Sequence, residues 1–251
     1  MPIDREFLTK QRQKQLALTP RLCEAERWQK YCYIPLDIPR IENPQLVDWF
    51  FEKATPVIKK VADFSTSGVG ISAYKSVDIF PNGYSSNMVD SAIWTLNIQQ
   101  EFMTLFADVY KQIMDEFPFT SLNKITLWSS QQAIGWHRDD ARVTDCPNEF
   151  RVLLYDENAS STINVAKALP DQDITNVYKA PRLPNTNSFA WNNLRTKHST
   201  DYETGNRKII MVFSRLDIDV DRYHDLMKRS EAKYQDVAMI DNAPTSDWVD
   251  L

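Results

Sequence analysis

Residues 124–213 are written in short β-branched or aromatic runs, and this texture limits the fold more than any other feature of the chain. The runs cover 125–128, 150–155, 161–165, 188–191 and 208–213, and turn-forming residues separate them. Strands this short, bounded by turn signals, belong to sandwiches and barrels. Helical patterns flank the block. Residues 4–17 are polar and helix-compatible. Asn43-Pro44 is a cap followed by a first-turn proline, and predicts a helix running to about Phe64. Leu46, Val47, Phe50, Ala54, Val57 and Ile58 fall at helical spacing along it, and Pro56 predicts a kink or a break. A second amphipathic helix is expected over 97–116, with Phe102, Leu105, Phe106, Val109, Tyr110 and Ile113 in one stripe, and a last one over about 220–236. Both stripes read as core faces. Helices followed by a block of strands predict a mainly β single domain, a β-barrel or jelly roll flanked and buttressed by α-helices.

Composition narrows the function classes. The chain has 251 residues, 43% hydrophobic and 25% charged, enough to bury a real core. Its net charge of −5 argues against a nucleic-acid partner, which wants a basic face. Cys23, Cys32 and Cys146 form no C-x-x-C pair and are odd in number, so they read as reduced thiols. No apolar run approaches membrane-spanning length and the first residues hold no apolar leader. The expectation is a soluble, cytoplasmic protein with no membrane partner.

The histidines carry the chemical signal, because there are only three. His137 opens His137-Arg138-Asp139-Asp140, just beyond the 125–131 strand. Residues two apart on an extended backbone point to one side, so His137 and Asp139 can offer a nitrogen and an oxygen to one ion. Asp140 has the wrong parity for this. His198 follows Asp139 by 59 residues, room for several strands to wind round and return. Two histidines and one carboxylate form the facial triad of non-haem iron sites, which leaves positions for a bidentate 2-oxo acid and for O₂. Nine residues after His198, across Glu203-Thr204-Gly205-Asn206, stands Arg207. Its planar, permanently charged fork suits the distal carboxylate of 2-oxoglutarate. Alternation turns the neighbouring Lys208 to the opposite face, so Arg207 is the expected anchor. The motif H-x-[DE] alone is weak: three histidines among 34 acidic residues in 251 give roughly 0.4 chance matches. Order and placement at strand ends give it weight.

That order, His137-x-Asp139, then His198, then Arg207, resembles the Fe(II)/2-oxoglutarate-dependent oxygenase superfamily, with spacings close to its prolyl hydroxylase branch. Ser188-Phe189-Ala190-Trp191-Asn192-Asn193 through His198-Ser199-Thr200 also resembles the strand before the distal histidine in aspartyl/asparaginyl-hydroxylase-like members. The similarity spans about residues 125–214. It implies a double-stranded β-helix (a cupin-like jelly roll), Fe(II), 2-oxoglutarate as cosubstrate, O₂, and succinate and CO₂ as co-products. It also implies that residues 1–120 build the substrate side. Related halogenases put a small residue where Asp139 stands, which favours hydroxylation here. The substrate expected is a small molecule such as an amino acid or derivative. An Asp, Asn or Pro residue in a peptide is the alternative, and a cupin-like metal-binding protein without 2-oxoglutarate is the alternative from another class.

The remaining candidates have two readings each. Trp128 lines the 2-oxoglutarate pocket or packs in the core. Arg151 faces the cofactor or a substrate carboxylate, or forms an outward salt bridge. Trp191 and Asn193 flank the substrate, or Trp191 fills the barrel. Arg138 is a pocket-rim residue or a surface charge. His224, in Asp221-Arg222-Tyr223-His224-Asp225, reads as a solvated surface histidine, and 241–251 as a flexible tail.

Overall fold

The computed structural model describes residues 26–63, 68–80, 92–130, 134–137, 148–155, 163–167, 174, 177–192, 196–201 and 207–242. The expected helix over 4–17 and most of the tail lie outside them. In chain order the first elements are α1 (Glu26–Gln29), β1 (Tyr31–Pro35), α2 (Pro44–Lys53), β2 (Thr55–Asp63), β3 (Gly68–Ile79), α3 (Ala92–Leu105) and α4 (Ala107–Glu116). Then come β4 (Phe119–Ser130), β5 (Ile134–His137), β6 (Asn148–Tyr155), β7 (Ile163–Lys167), β8 (Tyr178–Lys179), β9 (Ser188–Asn192), β10 (Thr196–Thr200) and β11 (Lys208–Ile218). The chain continues through α5 (Val220–Tyr234), a 3₁₀ turn and β12 (Met239–Ile240).

The strand pairing is nested. β7 pairs with β8, β6 with β9, β5 with β10 and β4 with β11, all antiparallel. This is one long two-stranded ribbon. Further ladders, β10 with β7 and β11 with β6, wind the ribbon onto itself. Two sheets result, ordered β12-β1-β9-β6-β11-β4-β3-β2 and β5-β10-β7-β8. The expected jelly roll, a double-stranded β-helix, is the fold the chain forms. The first 120 residues add three strands to the larger sheet as well as helices.

Alternation on β11 shows how the layers are filled. Ile209, Met211 and Phe213 belong to one buried cluster with Leu46 and Phe50 of α2, Phe102 of α3, Ile113 of α4 and Leu226 of α5. Ile210 belongs to a second cluster with Leu153, Phe189 and Trp191 of the large sheet and Ile163 and Val165 of the small one. Helices therefore cover one face of the large sheet and the small sheet covers the other. A strand buried on both faces reads as a continuous apolar run, as 209–213 does.

Three local expectations need correction. The helix opening at Asn43 ends at Lys53 and gives way to β2. Its start is as expected, with the Asn43 side chain accepting from the Leu46 N–H at 2.8 Å. Its end follows from Pro56, which has no N–H to donate and disfavours helical torsions at Thr55. Pro56 is tolerated because β2 is an edge strand. The stripe over 97–116 is split at Phe106 into α3 and α4, with Phe102, Phe106, Val109 and Ile113 buried and Leu105 55% exposed. His224 is half-buried, its Nδ1 accepting from the Trp28 indole N–H at 2.9 Å. The last helix is as expected, capped by the Asp219 carboxylate on the Arg222 N–H. Among the described residues no helix is long and apolar enough to cross a membrane.

Candidate metal centre

His137 and His198 are direct partners on the β5–β10 ladder. Directly opposed residues carry their side chains on the same sheet face, so pairing alone brings the imidazoles together. Their ring centroids lie 4.2 Å apart, tilted by 57°. His198 is flanked on its other side by Val165 of β7, an inner-core residue, which fixes the face as the barrel interior. The register slips between the His198–His137 and Thr200–Ile134 pairs, where three residues of β5 span two of β10. A bulge of this kind re-aims neighbouring side chains. Its effect is visible at Gly135, whose carbonyl accepts a hydrogen bond from His137 Nδ1 at 2.9 Å. A carbonyl can only accept, so Nδ1 is the donor in this contact, and Nε2 is the nitrogen left to ligate a metal. Ligand histidines characteristically hand their second ring N–H to a carbonyl or carboxylate in this way. The pair therefore fits a metal by its chemistry as well as its spacing. Asp139, the expected third ligand, lies outside the described residues, as do Arg138, Asp140 and Asn193. Among the described residues no three His, Cys, Asp or Glu side chains are grouped to hold an ion.

Around the pair the barrel interior is aromatic. Trp191 is 2% exposed and stacks on His198, with centroids 4.2 Å apart and planes 21° apart. Phe189 meets Trp191 at 5.3 Å, Tyr33 meets Phe189 at 5.4 Å, and Tyr178 meets Tyr33 at 5.9 Å. Trp128, opposite Ile210 on β4, is half-buried and packs against the same cluster. The Trp128 side chain thus packs on the inner side of the large sheet.

A paired arginine and glutamate sit in this interior. Arg151 is 3% exposed, its guanidinium carbon 5.3 Å from the Trp191 ring, and it forms an ion pair with Glu149, itself 7% exposed. Arg151 also donates to the Phe150 carbonyl at 3.0 Å. Arg151 therefore points inward and carries a built-in counter-ion. Glu149 escaped the sequence reading. Its only signal was parity: it lies two residues before Arg151 and opposite Trp191.

Arg207 requires the principal correction. It lies on the helix-facing side, donating to Asp48 of α2 at 2.8 Å with its guanidinium carbon 4.9 Å from the Phe51 ring. Its side chain is 37% exposed. Lys208 shares the parity of Ile210, is 5% exposed, and takes the inner face of the barrel. Alternation does separate the two cations, but in the opposite sense from that expected. A cleft lies between the inner cluster and residues 180–189. Its lining includes Tyr33, Leu153, Ile163 and Phe189 but neither ligand-pair histidine, so it is not the metal centre.

No family model matches the chain, and no curated protein matches it. Solved structures do. The chain is similar to an oxidoreductase of the 2OG-Fe(II) oxygenase family from Burkholderia pseudomallei, at 14% identity and TM-score 0.39, over 71% of this chain and 81% of that one. It is similar to a Pseudomonas putida prolyl-4-hydroxylase at 11% identity and TM-score 0.38, over 80% and 98% of the two chains. A Trichoplax adhaerens prolyl hydroxylase in complex with a hypoxia inducible factor peptide aligns at 13% identity and TM-score 0.37, over 86% and 96%. By its own strand order, the chain is a double-stranded β-helix with a cross-strand histidine pair in its interior.

Proposed function

We propose that the protein is an Fe(II)- and 2-oxoglutarate-dependent oxygenase. The observation that carries this reading is the His137–His198 pair, closed across one ladder with the His137 Nδ1 proton committed to Gly135. Asp139, two residues beyond His137 in the sequence, completes the ligand set in the proposal. Ferrous iron chelated by a 2-oxo acid supplies O₂ activation, coupled to decarboxylation of the oxo acid to succinate and CO₂. The chain's share is binding, orientation and exclusion of water. The two histidines hold the ion by ring nitrogens, His137 through its Nε2. Lys208 takes the distal carboxylate as an ammonium on the inner face, the role first assigned to Arg207. Trp191, Phe189 and Tyr33 form the dry aromatic wall, with Trp128 closing the cosubstrate side. Arg138 and Asn193 are assigned to substrate binding in the proposal, and Arg151 meets substrate while paired with Glu149. The reaction proposed is hydroxylation of a C–H in a small molecule such as an amino acid or derivative.

A second reading is a metal-binding jelly roll without an oxo-acid cosubstrate. The placement of Arg207 on Asp48, away from the interior, favours it. One experiment separates the two. Anaerobic addition of Fe(II) and then 2-oxoglutarate is expected to develop the weak visible charge-transfer band of the chelate. Iron binding without that band would leave only the second reading. Succinate release with amino acids against peptides then sorts the substrate class.

A further inference from the structure

We infer that Trp191 is a positioning residue for His198, an aromatic plate that fixes the plane of the distal imidazole. The inference rests on the metal-centre reading above and goes beyond it, because no hydrogen bond is needed for the role. Each half of the contact is rigidly mounted. Trp191 sits on β9, laddered to β1 through Tyr33 and to β6 through Glu149. His198 sits on β10, laddered to β5 through His137 and to β7 through Val165. The two rings meet across the gap between the sheets at 4.2 Å, with only 21° between their planes. The plate is itself held, by the Phe189 ring at 5.3 Å and by the Arg151 guanidinium, whose counter-ion Glu149 keeps it in place.

An imidazole on a fixed Cα still turns about its two side-chain torsions, and the second is soft. His137 has its ring orientation set by the Gly135 carbonyl. For His198 the stack restricts the ring plane, since sliding or tilting the ring off the indole loses an offset-stacking contact. Ligation drains electron density from the imidazole, and a cationic ring is attracted more strongly to the indole face. The plate therefore favours the loaded geometry over the empty one. Supports of this kind around metal ligands typically change affinity by about 10–100-fold when removed.

The test uses Co(II) as an oxygen-stable probe on the whole apo-protein, with affinity, the cobalt d–d spectrum and thermal stability measured together. Trp191→Leu is expected to weaken Co(II) affinity by about 10–100-fold and to alter the d–d band, whereas Trp191→Phe, which keeps a stacking face, restores both. A purely structural role would lower the melting temperature of both variants without changing the band. Wild-type protein supplies a check that needs no variant: with three histidines in the chain, the His198 ring protons resolve in NMR and are expected upfield of those of His224. Unchanged cobalt affinity and spectrum in a folded Trp191→Leu protein, or a His198 resonance without the upfield shift, overturns the inference while leaving the metal centre intact. Failure of wild-type protein to bind Co(II) at all overturns the metal-centre reading and this inference with it.

Discussion

Arg207 and Lys208 are neighbours in the chain and lie on opposite faces of the same sheet. Arg207 is bound to Asp48 on the helix side, while Lys208 is buried on the side of Ile210. Of these two neighbours, the lysine is the one that faces the barrel interior. Lys208→Met is expected to abolish the 2-oxoglutarate charge-transfer band while leaving Co(II) binding unchanged. Arg207→Met is expected to keep the band and to cost about 0–1 kcal/mol of stability, the range for an exposed ion pair. The reverse pattern, band lost with Arg207 and kept with Lys208, contradicts the assignment. Anaerobic titration and urea unfolding measure the two effects.

The paired histidines make a separable prediction. His137→Ala and His198→Ala each remove one nitrogen donor and leave the other in place. Each is expected to lower Co(II) or Fe(II) affinity by more than the ~10–100-fold lost with an outer support. His224→Ala serves as the control. Its ring accepts from Trp28, a residue of the helix-side cluster, and metal affinity should not change. Isothermal titration calorimetry on apo-protein decides the matter, and loss of binding in the His224 variant alone would sink the assignment.

How much of this was legible in the sequence depended on where the chain supplies a phase. The runs at 125–128, 150–155 and 188–191 became β4, β6 and β9 because they carry β-branched and aromatic residues at strand length. β10, by contrast, reads Thr-Lys-His-Ser-Thr and has no apolar alternation. It is a strand because its ladders to β5 and β7 hold it, and His198 was found by its scarcity, not by strand pattern. The planar fork of Arg207 favours it over Lys208 on chemistry, and the uniformly apolar run after them supplies no phase to decide between them. Ile209 through Phe213 is buried on both faces, so alternation separates neighbours without saying which face is the interior. Glu149 was invisible because an acid at the start of an apolar run looks like a solvated strand end. Pro56 and the strand after it show the opposite failure, a helical spacing in Val57 and Ile58 overridden by the backbone limits of one proline.

Tyr178 gives the protein a dependence on alkaline pH. Burial pushes its phenol above the ordinary value near 10, and its O–H donates to the Val237 carbonyl at 2.7 Å. A raised folded-state value means that folding favours the protonated form. The stabilisation is complete below the ordinary value and is lost as pH rises through the folded one. Tyr178→Phe is expected to lose about 0.5–1.5 kcal/mol at neutral pH with its hydrogen bond, and to show a shallower decline in stability above pH 10. Tyr110, also raised by burial, titrates in both proteins, so the difference between the two curves isolates Tyr178. Parallel curves measured by urea unfolding from pH 8 to about 11 would show that the phenol contributes nothing to the decline.

The Glu149–Arg151 pair sets the last expectation, because both partners are nearly excluded from water beside Trp191. Removing one charge from a buried pair leaves the other unneutralised, at a cost of about 3–5 kcal/mol, whereas removing both together is often close to neutral. Arg151→Met alone is therefore expected to be strongly destabilising, and Glu149→Gln combined with Arg151→Met to recover most of the loss. If instead Arg151 serves chiefly as a substrate anchor, the single change would spare stability and the double change would not rescue activity. A double-mutant cycle in urea, with Co(II) affinity followed alongside, separates these cases. A coupling energy below about 0.5 kcal/mol would show that the two side chains behave as independent charges and that the pair does not hold the plate on which His198 rests.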